Sequence, residues 1–214
     1  MIMILEEIST ALQAGNARKV KELVQQAIDE NIPVQQILND GLMSGMAVIS
    51  EKFKTNEVYI PEVLISARAM NQGIEILKPY IEKSGIKAAG RACIGTVQGD
   101  LHDIGKNLVK LMLESKGFDV IDLGTDVSPE KFVSAAIEND CSVICCSALL
   151  TTTRPVMGDV VKAAEKAGIR DKVKIMVGGA AVGEDFCKEV GADVYTFDAA
   201  TASEAALAFV KGGE

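Results

Sequence analysis

The chain holds one histidine, His102, within Gly99-Asp100-Leu101-His102-Asp103-Ile104-Gly105. A lone histidine cannot build a multi-histidine metal site. It can act as a single axial ligand, a general base or a switch. Asp100, two residues earlier, is spaced to accept the second imidazole N–H. A carboxylate behind a ligating histidine fixes its tautomer and raises its basicity. Two further groups stand out: Ser147-Ala148-Leu149, followed by Leu150-Thr151-Thr152-Thr153, and the pair Gly178-Gly179. Glycines at a strand end let a ligand approach the backbone, and they equally suit a tight turn. The threonines suit a narrow polar site or a cap for a helix opening near Arg154-Pro155. Each group alone has an ordinary structural explanation. Their shared position, beyond the ends of three strands, points to a site.

That position follows from the elements. Residues 1 to about 83 repeat apolar side chains at helical intervals. Ile2, Leu5, Ile8 and Leu12 mark one helix, and Val20, Leu23, Val24, Ala27 and Ile28 a second. Pro33 opens a third, with Ile37, Leu42, Met46, Ile49 and Phe53 on one face; Pro61 opens a fourth, with Leu64, Ala67, Met70, Ile74 and Leu77. Proline is favoured at a first helical position, where its missing N–H costs nothing. Four amphipathic helices with short connections predict an antiparallel bundle.

Beyond Lys83-Ser84-Gly85 the period changes. Strands are predicted over 92–96, 119–122, 142–147, 174–177 and 194–196. Helices are predicted near 104–116, 129–138, 156–167, 184–189 and 202–211. Alternating strands and helices give a doubly wound five-stranded parallel sheet, flavodoxin-like (Rossmann-type), in the order 2-1-3-4-5. Ligands bind such sheets beyond the carboxyl ends of the strands, beside strand 1. His102 lies in that first loop.

Composition narrows the function. The 214 residues are 48% hydrophobic with a net charge of −8, which argues against binding nucleic acid through a basic face. The five cysteines (93, 141, 145, 146 and 187) form no C-x-x-C pair and read as packed, reduced thiols. Reduced thiols suit a cytoplasmic protein. The apolar start runs directly into Glu6-Glu7, so neither a signal peptide nor a membrane span is expected. There is no G-x-G-x-x-G for a dinucleotide and no G-x-S-x-G for a serine nucleophile. A zinc hydrolase would need three protein ligands.

The three motifs together resemble the cobalamin-binding domain, whose pattern is D-x-H-x-x-G, then S-x-L, then G-G. Here the pieces are Asp100-x-His102-x-x-Gly105, Ser147-x-Leu149 and Gly178-Gly179. Between them lie 41 and 28 residues, the spacing familiar in that family. The first half looks like the four-helix cap of methionine synthase and of the small corrinoid proteins of methyltransferase systems. That likeness rests on Gly45-Met46-Ala47-Val48 through Phe53 and on Tyr59-Ile60-Pro61-Glu62. It implies a helical cap domain over 1–85 and a cobalamin-binding α/β domain over 86–214.

The resemblance implies a cobalamin or related corrinoid as cofactor. His102 would replace the cofactor's own benzimidazole as lower ligand to cobalt, with Asp100 hydrogen-bonded behind it. Thr153 would stand in the relay where the family usually has serine. Gly99, Leu101, Asp103, Ile104 and Gly105 would complete the loop at the cofactor. Ser147, Leu149, Thr151, Gly178, Gly179 and Ala199 would line the slot for the detached nucleotide tail. Phe53 and Ile60 would lie over the upper corrin face and shield the cobalt-bound methyl; by pattern alone both read as helix core.

The implied activity is methyl carriage rather than catalysis alone. Cob(I)alamin would take a methyl from a substrate held by a substrate:corrinoid methyltransferase. A methylcorrinoid:acceptor methyltransferase would pass it to tetrahydrofolate or a thiol coenzyme, and a corrinoid-reactivating reductase would be a third partner. His102 would release and rebind during the cycle, and the cap would have to move. Two alternatives share the cofactor. The small subunit of an adenosylcobalamin mutase has the same motif but typically lacks the cap. A cobalamin sensor or store would be expected to carry a basic helix-turn-helix or, for light sensing, a cap tryptophan; this acidic chain has no tryptophan. The donor (methanol, a methylamine, a betaine or an aryl methyl ether) and the acceptor stay open.

Overall fold

Apolar side chains at three- and four-residue intervals wind the first part of the chain into helices. In this computed structural model, which describes residues 2–84 and 87–212, α1 (Ile2–Gln13) buries Ile4, Leu5, Ile8 and Leu12. The Asn16 side chain accepts the Lys19 N–H and starts α2 (Ala17–Asp29), which buries Val20, Leu23, Val24 and Ala27. The predicted third helix is present but not uniform. It runs as α3 (Val34–Gln36), widens into a π-helical stretch (Ile37–Met43) and continues as α4 (Ser44–Lys54). Apolar spacing does not separate i+4 from i+5 hydrogen bonding, so the π stretch is invisible in the sequence. It lies where α1 comes close: a Cβ on Gly41 would sit 3.1 Å from Ile8 Cγ2, and one on Gly45 3.0 Å from the Ser9 carbonyl oxygen.

The fourth helix, α5 (Ile60–Ser84), is entered through Tyr59, whose N–H donates to the Glu62 carboxylate at 3.0 Å. This is the reaching-back half of a capping box. It makes Pro61 the second helical residue, not the first. Leu64 does not face the core as expected; it is 46% exposed, and Val63, Ala67, Met70 and Leu77 form the buried stripe.

The chain divides into two compact units, Met1–Lys87 and Ala88–Glu214. The second is built on a parallel sheet of β1 (Arg91–Thr96), β2 (Asp119–Asp122), β3 (Val143–Ser147), β4 (Lys174–Gly178) and β5 (Val194–Tyr195), in the predicted order β2-β1-β3-β4-β5. Between the strands run α6 (Ile104–Ser115), α7 (Pro129–Glu138), α8 (Val156–Lys166) and α9 (Glu184–Val190); α10 (Ala199–Lys211) follows β5. The last helix starts three residues earlier than predicted because Asp198 caps it, accepting both the N–H and the hydroxyl of Thr201.

Side chains alternate across the strands, so the sheet has two cores. Cys93, Ile144, Cys146, Ile175 and Val177 pack on one face with α7, α8 and α9. Ala92, Ile94, Val143, Cys145 and Met176 pack on the other with α6 and α10. All five cysteines are free and buried, as packed thiols. Burial pushes the Cys145 thiol up to about 12.

Candidate functional site

The strand register aligns the motifs. Thr96 pairs with Ser147, and Ser147 with Gly178, so the ends of β1, β3 and β4 lie side by side. The loop carrying His102 leaves β1 at this edge and is pinned back onto it. The buried Thr96 hydroxyl donates to the His102 carbonyl at 2.7 Å, and the Asp100 N–H donates to Val97 O at 3.1 Å.

Asp100 is 0% exposed, and each of its oxygens meets several donors. Oδ1 accepts the His102 backbone N–H at 3.1 Å and lies 2.7 Å from the ring Nδ1. Oδ2 accepts the Leu149 N–H at 2.8 Å, the Leu150 N–H at 3.3 Å and the Thr153 hydroxyl at 2.8 Å. Burial alone would raise this carboxyl. The bonds from His102, Leu149 and Thr153 outweigh it and hold the group well below the usual carboxylate range. An ionised Asp100 can only accept, so the imidazole proton belongs on Nδ1 and Nε2 keeps a lone pair. The His102 side chain is 53% exposed. One loop thus supplies a buried, fully bonded anion and a half-exposed imidazole whose Nε2 is available to a ligand or metal.

Thr153 does not cap α8. The capping position is Pro155, with no side-chain bond, and the threonine hydroxyl turns to Asp100 instead. Ser147 ends β3 half-buried, and Thr151 and Leu149 are exposed in the loop beyond it. The glycine pair splits in meaning. Gly179 has φ +119°, and a Cβ there would overlap the Ala148 carbonyl oxygen, so the close approach it permits is made by the chain itself. A Cβ on Gly178 would make only an ordinary contact, 3.5 Å from Thr196 O. Gly105 differs again: a Cβ on it would meet nothing within 4 Å, so space is open beside the first turn of α6. Ala199 is buried in the first turn of α10. Asp103 takes the capping position of α6 and accepts from the Asn107 side chain at 3.1 Å. Phe53, half-buried near the end of α4, and Ile60, exposed at the start of α5, belong to the helical unit.

Four participants escaped the sequence reading. Thr96 reads only as the last residue of a strand, and Leu150 contributes only its backbone. Asp126, at φ +56°, accepts the Gly99 N–H at 2.7 Å. Phe197 follows β5 and is 88% exposed. The alignment of strand ends was the available signal for Phe197 and Thr96; nothing in residue type marked Asp126.

Among the described residues no group of three or more His, Cys, Asp or Glu could hold a metal ion. Any metal at His102 must bring most of its own ligands. The rim suits a large apolar group: Leu101 and Ile104 are 72% and 74% exposed, and Leu149, Leu150 and Phe197 also project from loops at the carboxyl end of the sheet. A corrin, which gives cobalt four nitrogens and needs one axial ligand, fits that donor set.

Comparison with known proteins agrees. A B12 binding domain family matches residues 90–208, and a second B12 binding domain family matches residues 4–78. A corrinoid protein of Desulfitobacterium hafniense is 39% identical over 210 residues, 96% of this chain and 97% of its own length. Trimethylamine corrinoid protein 1 of Methanosarcina acetivorans is 39% identical over 194 residues, 90% of each chain. A chain in the crystal structure of the methanol:cobalamin methyltransferase complex from Methanosarcina barkeri superposes with a TM-score of 0.88 at 33% identity, covering 98% of this chain and 80% of that one. The chain therefore belongs to the B12-binding family of small corrinoid proteins, and a corrinoid is its cofactor.

Proposed function

We propose that the protein is the methyl-carrying subunit of a corrinoid-dependent methyltransferase system. It would receive a methyl group from a partner that holds the donor and deliver it to a partner that holds the acceptor, with a reductase restoring any oxidised cofactor. The observation that carries this reading is the Asp100–His102 pair, at 2.7 Å in a rim of exposed apolar side chains. The bound corrinoid supplies a cobalt centre that takes up and gives back a methyl group. The chain does the rest. His102 would hold the cobalt through Nε2, with Asp100 orienting the ring and holding the Nδ1 proton. Thr153 and the Leu149 N–H favour the ionised Asp100, which would keep the Nδ1 proton in place behind a ligating His102. Leu101, Ile104 and Leu149, exposed as they stand, would shed water beneath a bound corrinoid.

The two units would divide the task, the α/β unit holding the cofactor and the helical unit capping it through Phe53 and Ile60. Relatives named for trimethylamine, dimethylamine and monomethylamine resemble this chain almost equally, at 39%, 38% and 36% identity. That near-equality supports placing donor choice in the partner methyltransferase.

The test is direct. Protein loaded with cobalamin should show the absorption of a histidine-ligated corrinoid. His102→Ala should lose that signature while much of the cofactor stays bound. A spectrum unchanged by His102→Ala would refute the axial role.

A further inference from the structure

The aim of His102 depends on a loop outside the D-x-H-x-x-G motif. Residues 123–127, after β2, run alongside the end of β1. Leu123 N–H donates to Ile94 O, Thr96 N–H to Gly124 O and Val127 N–H to Thr96 O. The base of this loop is anchored by Asp122, whose Oδ1 accepts the Gly124 N–H at 3.0 Å and pairs with the buried Lys106 at 2.6 Å. At its tip Asp126 grips the ligand loop twice. Its Oδ1 accepts the Gly99 N–H at 2.7 Å, and its own N–H donates to the Asp100 carbonyl at 3.0 Å.

Both grips require unusual backbone. Asp126 sits at φ +56° and Gly99 at φ +85°. The left-handed region is disfavoured for most residues, and aspartate and asparagine are among those that enter it most readily. The two bonds hold the peptides on either side of the Gly99–Asp100 link, Gln98–Gly99 by its N–H and Asp100–Leu101 by its carbonyl, and so fix the Asp100 backbone between them. That backbone sets where the carboxylate starts, and the carboxylate sets where the imidazole points.

We propose that Asp126 is a positioning residue for His102: by clamping the backbone on both sides of the Gly99–Asp100 link it fixes the Asp100–His102 pair in its ligating geometry before the corrinoid arrives. The proposal rests on the reading of His102 as the cobalt ligand. Its action is on the free protein, where it can be observed alone.

Because His102 is the sole histidine, apo protein labelled with ¹⁵N-histidine reports one imidazole. The wild type should hold the Nδ1–H tautomer. Asp126→Gly keeps the backbone angle and deletes the acceptor; Asp126→Glu keeps the charge and moves the acceptor by one methylene, and serves if the glycine variant does not fold. Either should mix the tautomers, weaken the histidine-ligated absorption and raise the Kd for cobalamin about tenfold, as loss of an outer support to a metal ligand does. Asp126→Asn keeps both the acceptor and the left-handed tolerance, and should restore wild-type values in all three measurements. Wild-type tautomer balance in Asp126→Gly or Asp126→Glu overturns the proposal, as does an asparagine variant that behaves like them. A wild type that binds cobalamin with no histidine signature overturns the ligand reading instead, and the apo tautomer still judges Asp126.

Discussion

A methyl group added at Gly179 would run into the Ala148 carbonyl, at a backbone angle that disfavours side chains; one added at Gly105 would meet nothing within 4 Å. The two glycines of the motif therefore make opposite predictions. Gly179→Ala should lower unfolding free energy by about 2–4 kcal/mol, combining left-handed strain with overpacking, as read by urea titration of apo protein. Gly105→Ala should leave apo stability equal or raised by up to about 1 kcal/mol, since alanine is the better helix former. Its cobalamin affinity should fall if the cofactor uses the open space beside the first turn of α6; unchanged affinity would reduce Gly105 to a helix-start residue. The i, i+2 spacing of Asp100 and His102 was enough to read their pairing from sequence. The relay role of Thr153 was legible only through resemblance, because 53 residues of chain separate it from Asp100. Asp126 was not legible at all: its contribution lies in a backbone angle and in a loop brought near by strand pairing, neither of which residue type encodes.

The strands and most helices could be read in advance because each is bounded by strong signals: apolar runs such as Val143-Ile144-Cys145-Cys146 and proline at the start of α7. Departures occur where a local hydrogen bond outvotes the apolar period. Asp198 starts α10 early, Glu62 shifts the entry of α5, and close packing around Gly41 and Gly45 accompanies the π stretch. The buried Lys106 ties α6 to the end of β2 through Asp122, with Lys110 adding a second contact at 3.3 Å. Burial would raise the Asp122 carboxyl, but the bonds from Lys106 and the Gly124 N–H prevail and lower it. A lowered folded pKa means stabilisation that is present above the ordinary carboxylate range and lost as the pH falls through and below about 4. Asp122→Asn should therefore cost about 1–3 kcal/mol at pH 7, chiefly by leaving Lys106 buried without its anion. The melting temperatures of wild type and variant should converge on acidification below about pH 4. A gap independent of pH would mean that charge plays no part in this tie.

The molecule joins a bundle and a sheet, each with its own core. Among the described residues no helix is long and apolar enough to cross a membrane. If the bundle acts as a lid, Phe53 is the side chain whose loss should show it: Phe53→Ala should speed photolysis of the methyl-loaded protein, and an unchanged rate would leave Phe53 as a packing residue of α4. The buried cysteines acquire a meaning from the same reading. A methyl group activated for transfer is an alkylating agent, and thiolate is among the best acceptors a protein can offer. All five thiols lie inside the two cores of the sheet unit, and burial keeps Cys145 and Cys146 protonated. If the protein carries a methyl group as proposed, the cargo meets no exposed thiol of the chain's own, because every cysteine is buried.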